Sequence, residues 1–239
     1  PIGSLILLLL LPSAWQKTFR CVALGTTLLQ GLGVAWILTH GAAVMPTEET
    51  ITGGVQWMEQ AAWMRLDLGH LGVLSVNYSV GIDGLNVGLV LLSVLILPLG
   101  VIASWNVQTH VRAYFALYLL LDTLLMGSFL ALDFLLFYLF FEVTLLPVYF
   151  FIGLWGGPGR TQAATKFFLY TLVGTVMILV VMIGLGLSAY DPIATGQHLG
   201  VLSLNETPTL PQIERVQSFV QAHALSAQDI VHSLNMVLM

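Results

Sequence analysis

The sequence predicts an all-α fold, a polytopic transmembrane helix bundle. Three observations carry this. Of 239 residues, 57% are hydrophobic and only 8% charged, against about 25% charged in soluble domains. The mean hydropathy is +0.91. Five apolar stretches each approach the roughly 20 residues that cross about 30 Å of hydrocarbon. No ten-residue blocks alternate apolar and polar residues, which argues against a β-barrel.

The first apolar run, Ile2 to Leu11, is about half a span, so the chain reads as beginning partway through a first helix. A signal peptide is the weaker reading, since no charged n-region precedes the run. Full spans follow at Val22–Leu38, Leu85–Trp105, Ala113–Leu132, Phe134–Leu154 and Phe167–Ala189. The fourth and fifth are separated only around Asp133, which implies a tight hairpin with Asp133 capping the fifth helix. Asp83 is likewise read as a cap, before the third. In the segment 41–84, Trp57, Met58, Trp63, Leu66 and Leu68 predict a helix lying at the interface. Residues 191–205 are turn-rich, and Pro211–Leu225 reads as a surface helix. Ser226 and Asp229 resemble a capping box opening another helix, the start of a seventh span. Residues 1–189 thus form six spans with an interfacial loop at 41–84. Residues 190–239 form a polar outside loop and the start of a seventh helix.

The seven basic residues set the orientation. Lys17, Arg20, Arg112, Arg160 and Lys166 fall on the odd-to-even connections, and only Arg65 and Arg215 on the others. The positive-inside rule then puts the N-terminus, the segment 41–84 and the tail outside. The net charge of −5 comes with no basic run, so nucleic acid is not an expected partner. The one cysteine, Cys21, excludes a disulfide framework and reads as a small residue at a helix end. The histidines show no metal spacing. No phosphate loop, redox motif, haem attachment pattern or nucleophile elbow is present. Gly156-Gly157-Pro158-Gly159 reads as a turn.

Polar groups inside the spans carry the functional signal. Glu142 lies near the middle of the fifth span, where an acid costs about 3 kcal/mol on insertion scales. Intramembrane acids face the bundle interior and mark proton or ion paths, unless they merely pair with a neighbouring helix. Pro147 supplies no N–H to the Val143 carbonyl, freeing it for water beside Glu142; the plain alternative is a kink that fills a packing gap. Asp122, central in the fourth span, extends a proton path or pairs across the bundle. Lys166 snorkels to the interface or turns inward towards an acid. His110, on the inner side, titrates near neutral pH and is a candidate proton-uptake group. These residues point to transport of a proton or small cation, with no redox chemistry in this chain.

The wording of two blocks adds a resemblance. Ala131-Leu-Asp-Phe-Leu-Leu-Phe-Tyr-Leu-Phe-Phe-Glu142-Val-Thr-Leu-Leu-Pro147-Val-Tyr-Phe, followed by Leu154-Trp-Gly-Gly157 and Ala164-Thr-Lys-Phe-Phe-Leu-Tyr-Thr171, closely resembles the chain-4 (M-type) antiporter-like subunit of NADH:quinone oxidoreductase, respiratory complex I. Gly81-Ile-Asp-Gly-Leu-Asn86 resembles the same family's segment before its third helix. The resemblance covers most of residues 70–189. It implies the first six of fourteen helices built as inverted repeats, from a truncated chain or a split gene. It makes Glu142 the glutamate that pairs with a lysine in the family's seventh helix. Neither that lysine nor a second one in the eighth helix lies within these residues, and Lys166 is neither of them.

The expected function is therefore proton translocation in the membrane arm, coupled to quinone reduction elsewhere. The alternatives are a subunit of a Na⁺/H⁺ antiporter or membrane-bound hydrogenase, and a scaffold in which Glu142 is only a packing ion pair. The implied partners are lipid and the other membrane-arm subunits, in a hetero-oligomer. NADH, FMN, iron–sulfur clusters and quinone belong to other subunits. The expected location is the bacterial inner membrane, with the mitochondrial inner and thylakoid membranes as alternatives.

Overall fold

The computed structural model describes residues 1–10, 16–41, 56–67, 73–83, 86–188, 195–196, 199–200, 202, 210–223 and 231–233. In chain order they form α1 (Ile2–Leu10), α2 (Gln16–Gly41), β1 (Gln56–Asp67), β2 (Val73–Ile82), α3 (Asn86–Ala103), α4 (Val111–Leu130), α5 (Phe134–Trp155), α6 (Arg160–Ser188), α7 (Leu210–His223) and β3 (Val231–Ser233). A 3₁₀ turn, Ser104–Asn106, extends α3. Helices α2 to α6 are each long and apolar enough to cross a membrane. Two compact units result, and α5 and α6 contribute to both.

The first unit holds most of the helical residues. Its core is Leu8 of α1, Phe19 and Ala23 of α2, Val90 and Val101 of α3, and Phe115 and Leu119 of α4. Leucine side chains and lipid tails are similarly apolar, so close packing rather than hydrophobicity must hold such helices together. Glycine permits that approach at three successive helix pairs. A Cβ at Gly31 of α2 would lie 2.9 Å from Val94 of α3. At Gly100 of α3 it would lie 2.2 Å from the Tyr118 hydroxyl of α4, and at Gly127 of α4 it would lie 2.6 Å from the Phe140 ring of α5. The Tyr118 hydroxyl uses the gap at Gly100 to donate to the Leu97 carbonyl at 2.7 Å.

Basic and aromatic residues tie the odd-to-even connections together. Arg20 donates to the Val107 carbonyl at 2.9 Å, Arg112 donates to the Leu9 carbonyl, and the Trp155 indole donates to the Thr109 carbonyl at 2.8 Å. Tyr114 stacks edge-on against Trp155, their centroids 5.0 Å apart, as an interfacial aromatic belt would.

The second unit corrects two sequence expectations. Residues 56–67 form a strand, not an interfacial helix. They pair antiparallel with β2, from Gln56 opposite Ile82 to Asp67 opposite Val73. The signal was present in β2, where Leu74, Val76, Tyr78, Val80 and Ile82 alternate with Ser75, Asn77, Ser79 and Gly81. That period of two belongs to a strand. This alternation is shorter than the ten-residue blocks of a barrel, and it builds an open three-stranded sheet. Residues 231–233 are the third strand, parallel to the start of β2, where a seventh helix was expected. Val231 is buried there and its N–H donates to Thr195 Oγ1 at 3.1 Å. The other residues expected in that seventh helix lie outside the described residues. The surface helix expected at 211–225 is present as α7.

This unit also brings connecting segments together. The Leu132 N–H, in the α4–α5 turn, donates to the Ser79 carbonyl of β2 at 2.9 Å, and Val80 bridges Ala131. The connections α2–α3 and α4–α5 and the segment after α6 therefore meet one another.

Candidate functional site

Helix α5 runs unbroken from Phe134 to Trp155 with Pro147 buried inside it. It starts sharply because Asp133 caps it. Asp133 Oδ1 accepts from the N–H groups of Leu135 at 2.9 Å and Leu136 at 3.3 Å. Its Oδ2 accepts from the Asn77 N–H of β2 at 3.4 Å. Asp133 is wholly buried. Burial pushes its carboxyl above the ordinary aspartate range, and the N–H groups of Leu136, Asn77 and Leu135 pull it part of the way back.

The cap fixes the depth of the next acid. Glu142 is nine residues beyond Asp133, roughly 13 Å at 1.5 Å per residue. That is near the centre of a hydrocarbon layer about 30 Å thick. Both Glu142 carboxylate oxygens are buried, and neither has a hydrogen-bond partner among the described residues. Its stripe on α5, at spacings of four, three and four, contains Tyr138, Glu142, Leu145 and Tyr149. This stripe faces α6. Tyr149 packs edge-on against Phe168, with centroids 5.8 Å apart, and the Tyr138 hydroxyl interacts electrostatically with Thr175 and with Glu142. The contact with Glu142 falls short of a hydrogen bond, so the carboxylate remains unsatisfied. Glu142 thus lies in the α5–α6 seam between two tyrosines. Thr144, beside it, donates to the Phe141 carbonyl at 2.6 Å, so its hydroxyl is already engaged. Pro147 leaves the Val143 carbonyl without its helical donor.

Asp122 lies at a similar depth, eight residues before the end of α4. It is wholly buried, again with both oxygens unpartnered. It points elsewhere: its polar neighbour is the Gln30 side chain of α2. The two acids are therefore not presented to a common partner.

The structure does not bring the other expected residues to Glu142. Lys166 is in the second turn of α6, because that helix starts at Arg160, seven residues earlier than its apolar run. Lys166 is exposed. The Tyr149–Phe168 contact places it at least about 10 Å along the helix axis from Glu142. His110 is exposed at the start of α4, with a left-handed backbone (φ 51°) and its carbonyl accepting the Tyr114 N–H at 3.0 Å. Its neighbour Thr109 binds Trp155, which is thirteen residues from Glu142, roughly 20 Å. Sequence reasoning missed the seam residues Tyr138 and Thr175 and the partner Gln30. Tyr138 was detectable at the i−4 position from Glu142. Gln30 carried the signal of a lone amide inside an apolar span.

Comparison with known proteins gives the chain's family. Residues 63–132 match the family described as NADH-ubiquinone oxidoreductase chain 4, amino terminus. Residues 131–191 match the transmembrane family of NADH:quinone oxidoreductase and Mrp antiporters. The chain is 40% identical over 136 residues to NADH-quinone oxidoreductase subunit M of Rhodobacter capsulatus, covering 57% of this chain and 25% of that protein. It is 35% identical over 144 residues to F(420)H(2) dehydrogenase subunit M of Methanosarcina mazei, covering 60% and 28%. Among solved structures, a chain of respiratory complex I from Thermus thermophilus with bound NADH superposes with a TM-score of 0.57 at 31% identity, covering 77% and 34%. The chain therefore spans about a quarter to a third of the length of these relatives. Both family matches, the subunit M relatives and the shared helical fold agree: this chain belongs to the chain 4 (subunit M) family of NADH-quinone oxidoreductase membrane subunits.

Proposed function

We propose that this chain is part of a proton-translocating membrane-arm subunit, working in a hetero-oligomeric complex that couples NADH oxidation and quinone reduction to proton movement. The observation that carries this reading is Glu142, a carboxylate held at mid-membrane depth with both oxygens buried and unpartnered. Leaving such a group unsatisfied is costly, and it is a natural place to take up and release a proton. The Val143 carbonyl, freed by Pro147, offers water a hydrogen bond one residue away. Tyr138, one helical turn back, adds a hydroxyl on the same stripe. In this reading flavin, iron–sulfur clusters and quinone are held by partner subunits, and the membrane is the bacterial inner membrane. The homologous relatives support it: those with the highest coverage are cyanobacterial NAD(P)H-quinone oxidoreductase chain 4 proteins.

Glu142→Gln tests the proposal in the assembled complex. NADH-driven proton uptake into membrane vesicles should fall to a small residue while the complex remains intact on native gels. Undiminished pumping would overturn the reading. Glu142→Asp should retain part of the activity, because the ionisable group survives at shorter reach.

A second reading is favoured by the Methanosarcina relative, a subunit of a dehydrogenase with a different electron donor. Co-purification separates the two. Flavin- and iron–sulfur-bearing NADH dehydrogenase subunits should travel with this chain; if NADH-oxidising partners are absent, the reading passes to another electron donor or to an antiporter complex.

A further inference from the structure

Asp122 takes no part in the Glu142 seam, and the groups around it have their own logic. Its two oxygens and Gln30 Oε1 are three buried acceptors, none of which receives a hydrogen bond. Among the described residues, the donor beside them is the Gln30 amide, which faces the carboxylate. An ionised aspartate cannot donate, so it would leave Gln30 Oε1 orphaned at a cost of about 1–3 kcal/mol. A protonated aspartate resolves the count. Its O–H donates to Gln30 Oε1 while its carbonyl oxygen accepts from Gln30 Nε2, the cyclic pairing of a carboxylic acid with a primary amide.

The other group facing Asp122 is the Tyr118 hydroxyl on α4. Tyr118 is committed to the Leu97 carbonyl. No cationic side chain is paired with the carboxylate among the described residues. Gln30 also has a second exposure. It lines a cleft of about 660 Å³ between α1 and α2, together with Ser4, Gly25, Thr26 and Gly33. Gly25 and Gly33 face open space, since a Cβ at either would meet nothing within 4 Å.

We propose that Asp122 and Gln30 form a second proton-holding site, separate from Glu142, in which the acid rests neutral against the amide and exchanges its proton through the α1–α2 cleft. Asp122 is the proton carrier and Gln30 a positioning residue.

The test uses the whole complex in its membrane and two readouts that do not depend on pumping. The first is reaction with a hydrophobic carbodiimide, which adds to protonated carboxyl groups, followed by peptide mass spectrometry. An adduct on Asp122 is expected, and its loss in Gly25→Leu and Gly33→Leu, whose side chains extend into the cleft from open positions. The second is the infrared band of a protonated carboxyl. It should disappear in Asp122→Asn and shift in Gln30→Leu, where the acid loses its cyclic partner. No adduct, or no band that Asp122→Asn removes, would show that the acid rests ionised and would overturn the site. A band unshifted in Gln30→Leu would overturn the pairing. Labelling undiminished by both glycine substitutions would overturn the cleft as the route. An adduct on Glu142 is scored separately and bears only on the reading proposed above.

Discussion

Asp133 shows how one residue reconciles opposed demands. The turn between α4 and α5 is buried, so the orphan N–H groups at the start of α5 cannot reach water. The Asp133 carboxylate takes two of them and, in addition, one from β2. Asp133→Ala should cost about 1 kcal/mol or more, the usual loss for a removed N-cap, read as a lower midpoint of thermal unfolding in detergent. Asp133→Asn keeps an acceptor at the cap and should stay close to the parent. The two also separate in pH dependence. Burial raises the Asp133 carboxyl, so the ionised form is the disfavoured one in the fold. Its contribution to stability is therefore full below about pH 4, the ordinary aspartate value, and is lost as the pH rises through the raised value. Asp133→Asn should flatten that part of the stability profile; an unchanged profile would assign the slope to other groups.

At the scale of elements, the helices are held by glycine contacts that composition alone cannot distinguish from ordinary turn glycines. Gly100 admits the Tyr118 hydroxyl into α3. Gly100→Ala would place a methyl 2.2 Å from that oxygen, forcing α3 and α4 apart. Assembly of the complex, followed on native gels, should drop sharply. Tyr118→Phe alone loses one hydrogen bond, about 1 kcal/mol, and should be mild. Combined with Gly100→Ala it removes the nearest clash, leaving the ring carbon at 3.1 Å, and should restore part of the assembly. No recovery in the double variant would mean that the packing at Gly100 does not depend on Tyr118.

Across the whole molecule, two observations bear on the topology. One is electrostatic and comes from Lys17, Arg20, Arg112, Arg160 and Lys166. The other is the hydrogen bonding of β2 to the α4–α5 turn and of β3 to β2. In a Cys21→Ser background, a cysteine at Gly157 should react with an impermeant maleimide from the cytoplasmic side only, and one at Gly200 from the opposite side only. Labelling of both from one side would break the alternation.

The sequence by itself determined the spans, their order, the cap at Asp133 and the anomalous acids, because each is a local property: a run length, a capping residue, an apolar stretch interrupted by a carboxylate. Only the tertiary structure decided what the acids face. Asp122 and Gln30 are far apart in the chain, and nothing local to either announces the other. The same holds for Val231 beside β2, a pairing across more than 150 residues that no local pattern encodes. The strand at 56–67 was hidden by tryptophans that suit an interface in either conformation, while its partner's alternation was legible throughout. Local periodicity specifies elements, but which polar groups share a buried site depends on packing between helices, and that is a non-local decision.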